Sequence, residues 1–368
     1  MKKRMVLIAA CISIIAAGCG VQNEPAENKE VYEEVIETAA GPVEEVTGEY
    51  DFTLCFAGDI NFDENWVTTQ FLNTCENGIY DCIDSKMVET MQQADIMWIN
   101  NEFTYSNGGQ PLDGKAYTFR ANPERVENLE LLGVDIVGLA NNHVYDYGKD
   151  ALLDTFDTLQ QANIPYVGAG RDLAEASAPV YMEVDGKTVA FVAASRAEKY
   201  KMTPQATEEE PGILRCYDTE IFDQEIAEAD ANADIVVALP HWGTEYSTEL
   251  EPVQSETARE YIDAGADVVI GAHTHCLQGF EFYKDVPIVY SLGNYWFNEK
   301  TLDTMLVNIH CFGNDEEDHM EVIITPGLQS NLKTTYVSNP EDQRKLYERL
   351  EDISFGVEIN DDGKVIQK

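Results

Sequence analysis

Six times along the chain, a short apolar run ends abruptly in a residue able to bind a metal or move a proton. The runs are LCFAG before Asp59, IMWIN before Asn101 and Glu102, and DIVGLA before Asn141, Asn142 and His143. The other three are DIVVALP before His241, VVIGA before His273 and His275, and IVYSLG before Asn294. Runs of this length, bounded by turn residues, read as buried strands. In an α/β sheet, functional groups gather beyond the carboxyl ends of the strands, so the six endings are expected to converge.

The intervening segments carry the helices. Ser85–Ala94, Pro123–Leu132, Lys149–Ala162, Thr219–Ala233 and Glu256–Ala264 have helical periodicity, with Leu152, Leu153, Phe156 and Leu159 on one face. Strands are expected at 50–57, 96–100, 135–140, 164–168 and 235–239, the first broken by Gly58-Asp59. Val180–Ala194 divides at Asp185-Gly186 into a hairpin, and beyond Pro287 the pattern is mostly strand. A chain of βα units with added hairpins predicts an α/β protein with two mixed sheets flanked by helices. Residues 50–330 form the domain, with 331–368 as a C-terminal extension of it.

The start of the chain has a different character. Lys2, Lys3 and Arg4 precede an apolar segment, Met5 to Ala17, that is shorter than the roughly 20 residues of a membrane span. It reads as an export signal over 1–18, and Ala16-Ala17-Gly18-Cys19 resembles a lipobox. That resemblance implies cleavage before Cys19, lipidation of its sulfur and an extracytoplasmic, membrane-anchored protein; the competing reading is an ordinary secretory signal. Residues 19–49 carry nine Glu and one Lys with no sustained apolar period, the composition of a solvated tether.

A formal net charge of −43 excludes a nucleic-acid groove, which needs a basic footprint. An anionic substrate would need positive potential generated locally, and divalent cations are the simplest source. Cys75 and Cys82 flank a turn-like segment and form either a disulfide or two free thiols. The chain has no G-x-S-x-G elbow and no P-loop; the Gly of Gly186-Lys187-Thr188 belongs to the hairpin turn.

At the strand ends, Asp59 and Glu102 offer carboxylates to hard cations, and Asn142 a neutral carbonyl oxygen. His273 and His275 read either as metal ligands or as a loop-end pair bonded to backbone or water. His143, adjacent to Asn142, points elsewhere and suits proton transfer, with Asp146 to orient it. Trp242 reads as a packing wall. Asn100, Asn141, Glu245, Gln278 and Asn294 are candidates for the surroundings of the site or for substrate contact.

Taken in order, Gly58-Asp59, Asn100 to Glu102, ANNHVYDYG, HWGTEY, GAHTHCLQG and YSLGNYWF resemble the CapA family of poly-γ-glutamate capsule biosynthesis proteins, whose domain is related to calcineurin-like metallophosphoesterases. The resemblance implies a four-layer αββα sandwich. It also implies one divalent cation on Asp59 and His275, a second on Asn142, His241 and His273, and Glu102 bridging them. The cations would be Mn, Zn, Mg or Fe. Asn61 stands where the wider superfamily has a His, and Thr274 where the family commonly has Pro. The partners implied are the capsule polymer or its precursor and membrane synthase subunits. The role is that of a metal-dependent hydrolase or transferase; the alternatives are a non-catalytic scaffold subunit and a generic phosphoesterase.

Overall fold

A computed structural model describes residues 48–198, 202–314 and 316–368. The signal, Cys19 and the expected tether up to residue 47 lie outside the described residues.

The first strand, β1 (Tyr50–Ile60), lies inside its sheet, paired on one side over Tyr50–Ala57 and on the other from Leu54 onward. Parallel to it run β2 (Ile96–Asn101), β3 (Ile136–Gly138) and β4 (Tyr166–Val167). A second sheet starts with the hairpin β5 (Val180–Val184) and β6 (Lys187–Ser195). It continues through β7 (Ile235–His241), β8 (Val268–Ile270), β9 (Leu277–Tyr283) and β10 (Val286–Leu292). The chain then returns to the first sheet as β11 (Leu302–Gly313) and β12 (Asp318–Ser330), antiparallel to β1 and to each other. Lys333–Tyr336 pairs with β12, and β13 (Val357–Ile359) and β14 (Lys364–Gln367) extend the same sheet, so residues 331–368 complete its edge. Both sheets mix parallel and antiparallel pairs.

Alternation along β1 shows how the layers form. Phe52, Leu54 and Phe56 share one buried cluster with Phe191, Val237, Val268 and Ile270 of the second sheet, so the inner faces pack together. Cys55 and Ala57 point the other way, into a cluster with Met87 and Met91 of Ser85–Gln93 and Leu152 and Phe156 of Gly148–Gln161. On the far side of the second sheet, Val236 and Ala238 meet Phe222 and Ile226 of Glu220–Asn232 and Tyr261 of Pro252–Ala264. The protein is therefore an αββα sandwich of two mixed sheets.

Several local expectations are corrected. Gly58-Asp59 does not end β1: the strand continues to Ile60 across an irregularity in register. Pro123–Leu132 is a 3-10 turn, Pro123–Val126, followed by a short helix, Glu127–Leu132. Beyond Pro287 the described chain is mostly strand, as expected, with one helix, Pro340–Asp352, whose Asn339 side chain caps the N–H groups of Glu341 and Asp342. The sulfurs of Cys75 and Cys82, left open as a disulfide or two thiols, lie 3.8 Å apart.

Candidate metal centre

The parallel strands deliver their last residues to one place, and the two sheets are joined there. After β10 the chain turns at Gly293 and leaves the second sheet, so that Asn294–Trp296 pairs with β1 of the first. The crossing is close: Asp59 N–H donates to Gly293 O at 2.9 Å, and a Cβ on Gly58 would lie 1.9 Å from that oxygen. Only glycine at position 58 permits this approach.

Asp59, Asn100, Asn101, Glu102, Asn141, Asn142, His143, Asp146, His241, His273, His275 and Asn294 are all buried. Two groups of ligand-type atoms lie within 4.8 Å of one another: Asp59, Glu102 and His275 in one, Glu102, His241 and His273 in the other. Glu102 belongs to both. Its Oε1 is 3.8 Å from His241 Nε2 and 4.0 Å from the Nε2 atoms of His143 and His275, too far for hydrogen bonds. Asn142 Oδ1 is 2.8 Å from His241 Nε2, which places it beside the second group.

The donor set fits a cation. Among the described residues, Glu102 Oε1 and His273 Nδ1 are buried without a hydrogen-bond partner, a costly arrangement unless something else binds them. Burial, with Asp59 beside it, pushes the Glu102 carboxyl well above the usual carboxylate range. Burial also drives His241 well below its ordinary value and, with His275 adjacent, takes His273 down to about 3, so both present neutral nitrogens. His275 differs. Burial opposes its protonation, but the hydrogen bond and charge of Asp59 outweigh that and raise it. Its Nδ1 lies 2.9 Å from Asp59 Oδ2 and 2.8 Å from Asn294 Oδ1. His273 and His275 occupy left-handed backbone, φ 101° and 57°, which costs free energy at a non-glycine residue.

Asparagines brace the acids. Asn100 Nδ2 donates to Asp59 Oδ1 at 2.7 Å and to Glu102 Oε2 at 3.3 Å. Its own Oδ1 accepts from Asn141 Nδ2, and Asn141 Oδ1 takes the N–H groups of His143 and Val144. His143 Nδ1 is 2.7 Å from Asp146 Oδ2, its ring rests on Phe119, and burial lowers its pKa against the pull of Asp146.

Not every expected residue reaches the centre. Trp242 is a wall whose Nε1 donates to Tyr290 O. Gln278 accepts from Gln254 and donates to the carbonyls of Ser247 and Glu249, so it ties down a loop instead of meeting the site. Glu245 is exposed and lines the cavity outside His143 and His275. Asn61, at the position of the superfamily histidine, turns Oδ1 to Asp63 N–H. Sequence reasoning missed Lys115, whose side chain is 4% exposed, lies 2.6 Å from Asp146 Oδ1 and donates to Asn142 O. A single Lys in a turn carries no signal. It also missed the aromatic residues of the cavity mouth, Trp66, Tyr117, Phe119 and Phe297.

Comparison with known proteins agrees with the family resemblance. The chain is 37% identical over 201 residues to the capsule biosynthesis protein CapA of Bacillus anthracis, covering 53% of this chain and 48% of that one. It is 36% identical over 218 residues to the PGA biosynthesis protein CapA of Bacillus subtilis, covering 58% and 56%. The chain thus spans about half the length of the curated relatives it matches. Among solved structures, a hypothetical protein from Thermus thermophilus aligns with TM-score 0.44 at 15% identity, over 75% of this chain and 98% of that one. Residues 53–299 match the family model of the bacterial capsule synthesis protein PGA_cap, and on that match the chain belongs to this family.

Proposed function

We propose that the protein acts in the synthesis or attachment of a capsule polymer, poly-γ-glutamate or a similar exopolymer, through a divalent-metal hydrolase or transferase centre. The observation that carries this reading is the pair of buried ligand groups sharing Glu102, with Glu102 Oε1 and His273 Nδ1 unpartnered. Asp59 and His275 would hold one cation, Asn142, His241 and His273 a second, and Glu102 both. When bound, such cations supply a Lewis acid that polarises a phosphoryl or carbonyl oxygen and acidifies water.

The chain's own residues handle the proton. With Nδ1 facing Asp146, His143 turns Nε2 toward Glu102 and can exchange a proton there with the group that leaves. Asp146 is itself held by Lys115 and by the N–H of Phe119 at 2.7 Å, which fixes the imidazole's orientation. The test is product analysis: purified protein with Mn²⁺, Zn²⁺ or Mg²⁺ is offered poly-γ-glutamate and a panel of phosphoesters. Cleavage or transfer of either, abolished by chelator, is expected; no bound divalent metal would end the enzyme reading.

One observation favours a second reading. Asn61 turns its Oδ1 to Asp63 N–H, so the Asp59 group lacks the histidine that stands there in the wider superfamily, which suits a scaffold subunit that retains one cation. Partners in either case would be the polymer or its precursor and membrane synthase subunits. The proposed location is extracytoplasmic, with a lipid on Cys19. Labelling cells with a palmitate analogue should mark the wild type and not Cys19→Ala; unlabelled wild-type protein would remove the anchor.

A further inference from the structure

The centre opens into a cavity of about 300 Å³ whose lining includes His143, His275 and Tyr246. Tyr246 closes the HWGTEY stretch that begins with His241, and it belongs to neither group of metal ligands. Its placement is specific. Its N–H donates to Thr274 O at 2.6 Å, between His273 and His275, and its ring lies 5.6 Å from the His275 ring. The Lys300 ammonium rests on the same ring, 3.3 Å from its centroid. The backbone of Tyr246 is left-handed, φ 58°, a conformation that costs free energy at a bulky residue and that clusters at functional sites.

A chain of hydrogen bonds gives the hydroxyl a direction. Gln329 Oε1 accepts the N–H groups of Phe297 and Asn298, so its Nε2 is free to donate to Asn298 Oδ1 at 3.0 Å. The Lys300 N–H donates to that same oxygen at 3.0 Å. Asn298 is thereby left with Nδ2 toward Tyr246, and the phenol oxygen accepts from it at 3.3 Å. A phenol is protonated at neutral pH and carries one donor. Since its oxygen accepts from Asn298, the O–H points elsewhere, and no acceptor among the described residues takes that proton. Other donors around the cavity are committed or lie at the rim: Trp66 Nε1 donates to Phe297 O, and Tyr117 is 60% exposed. We infer that Tyr246 is a substrate-binding residue of the centre, whose hydroxyl donates a hydrogen bond to an anionic oxygen of the group under attack, phosphoryl or acyl. A donor held in place beforehand stabilises charge on such an oxygen as it develops. The inference rests on the reading of the centre given above: His143 moves the proton, and Tyr246 holds the oxygen.

Isothermal titration of the full chain, supplied with Mn²⁺, tests it with inorganic phosphate and tri-γ-glutamate as probes. Tyr246→Phe keeps the ring against His275 and beneath the Lys300 ammonium and removes only the hydroxyl. It should weaken whichever anion the wild type binds by roughly tenfold, the usual worth of a hydrogen bond to a charged acceptor. Metal content by elemental analysis and the thermal midpoint should stay as in the wild type. A loss confined to phosphate assigns a phosphoryl oxygen to the hydroxyl, and one confined to tri-γ-glutamate an acyl oxygen. A Tyr246→Phe protein that binds both anions as the wild type does would overturn the inference, as would a wild type that binds neither. A wild type that holds no metal yet binds either anion through Tyr246 would keep the role of the hydroxyl and sink the reading of the centre.

Discussion

At the scale of single residues, the contrast between His143 and its neighbours is the sharpest test of the centre. His241→Ala or His273→Ala should lower bound metal measured by elemental analysis. His143→Ala should retain it and lose about 10²–10⁴-fold in turnover, the usual worth of positioned proton transfer. Equal metal loss in all three would make His143 a ligand and remove its separate role. Asp267, just before β8, offers a different reading. Burial pushes its carboxyl up to about 6 although it accepts the Val236 N–H at 2.8 Å. Its folded value therefore exceeds its unfolded one of about 3.9, so the folded state holds the proton more tightly and stability falls as pH rises between those values. Asp267→Asn, which keeps an acceptor, should remove that slope and gain on the order of 1–3 kcal/mol above pH 6, measured by urea melts at about pH 4.5 and 7.5. An unchanged slope would show that the carboxyl is not the cause. Most residues of the centre were legible because each ends an apolar run. Lys115 was not, and Gln278 was expected near the site but ties down a loop, since what each touches is set by loops whose course no periodicity records.

Among the elements, β1 shows where local rules mislead. Gly58-Asp59 reads as a break because glycine usually ends a strand, yet here it admits the carbonyl of Gly293 and the strand runs on. Gly58→Ala would force that crossing apart. The expected result is destabilisation of about 3 kcal/mol or more, with reduced metal content, since Asp59 and Asn294 move with their strands. Thermal melts and elemental analysis check it, and a variant as stable and as metal-loaded as wild type would mean the contact relaxes freely. The parallel strands and the helices between them were readable from alternating apolar runs and helical periods. The Pro340–Asp352 helix was legible too, in Asn339-Pro340 and the spacing of Leu346, Tyr347 and Leu350, but a strand-rich neighbourhood masked it.

For the molecule as a whole, charge and connectivity matter most. With 67 acidic and 24 basic residues, self-repulsion opposes the compact state. Raising salt from about 0.05 to 0.5 M should therefore raise the urea midpoint, because screening shortens the reach of that repulsion. A midpoint that falls would place the balance in favourable ion pairs instead. That two sheets pack face to face was expected from sequence; that the chain itself crosses between them at Gly293 was not, because a one-residue change of sheet leaves no mark on hydropathy. The crossing lies where Asp59 and Glu102 arrive from one sheet and His241, His273 and His275 from the other. A cation held by both sets binds only while the sheets are docked, so mass action ties occupancy to folding: at a hundred times Kd it adds about 2.7 kcal/mol against unfolding. Metal supply would then set how long the protein survives as well as whether it works.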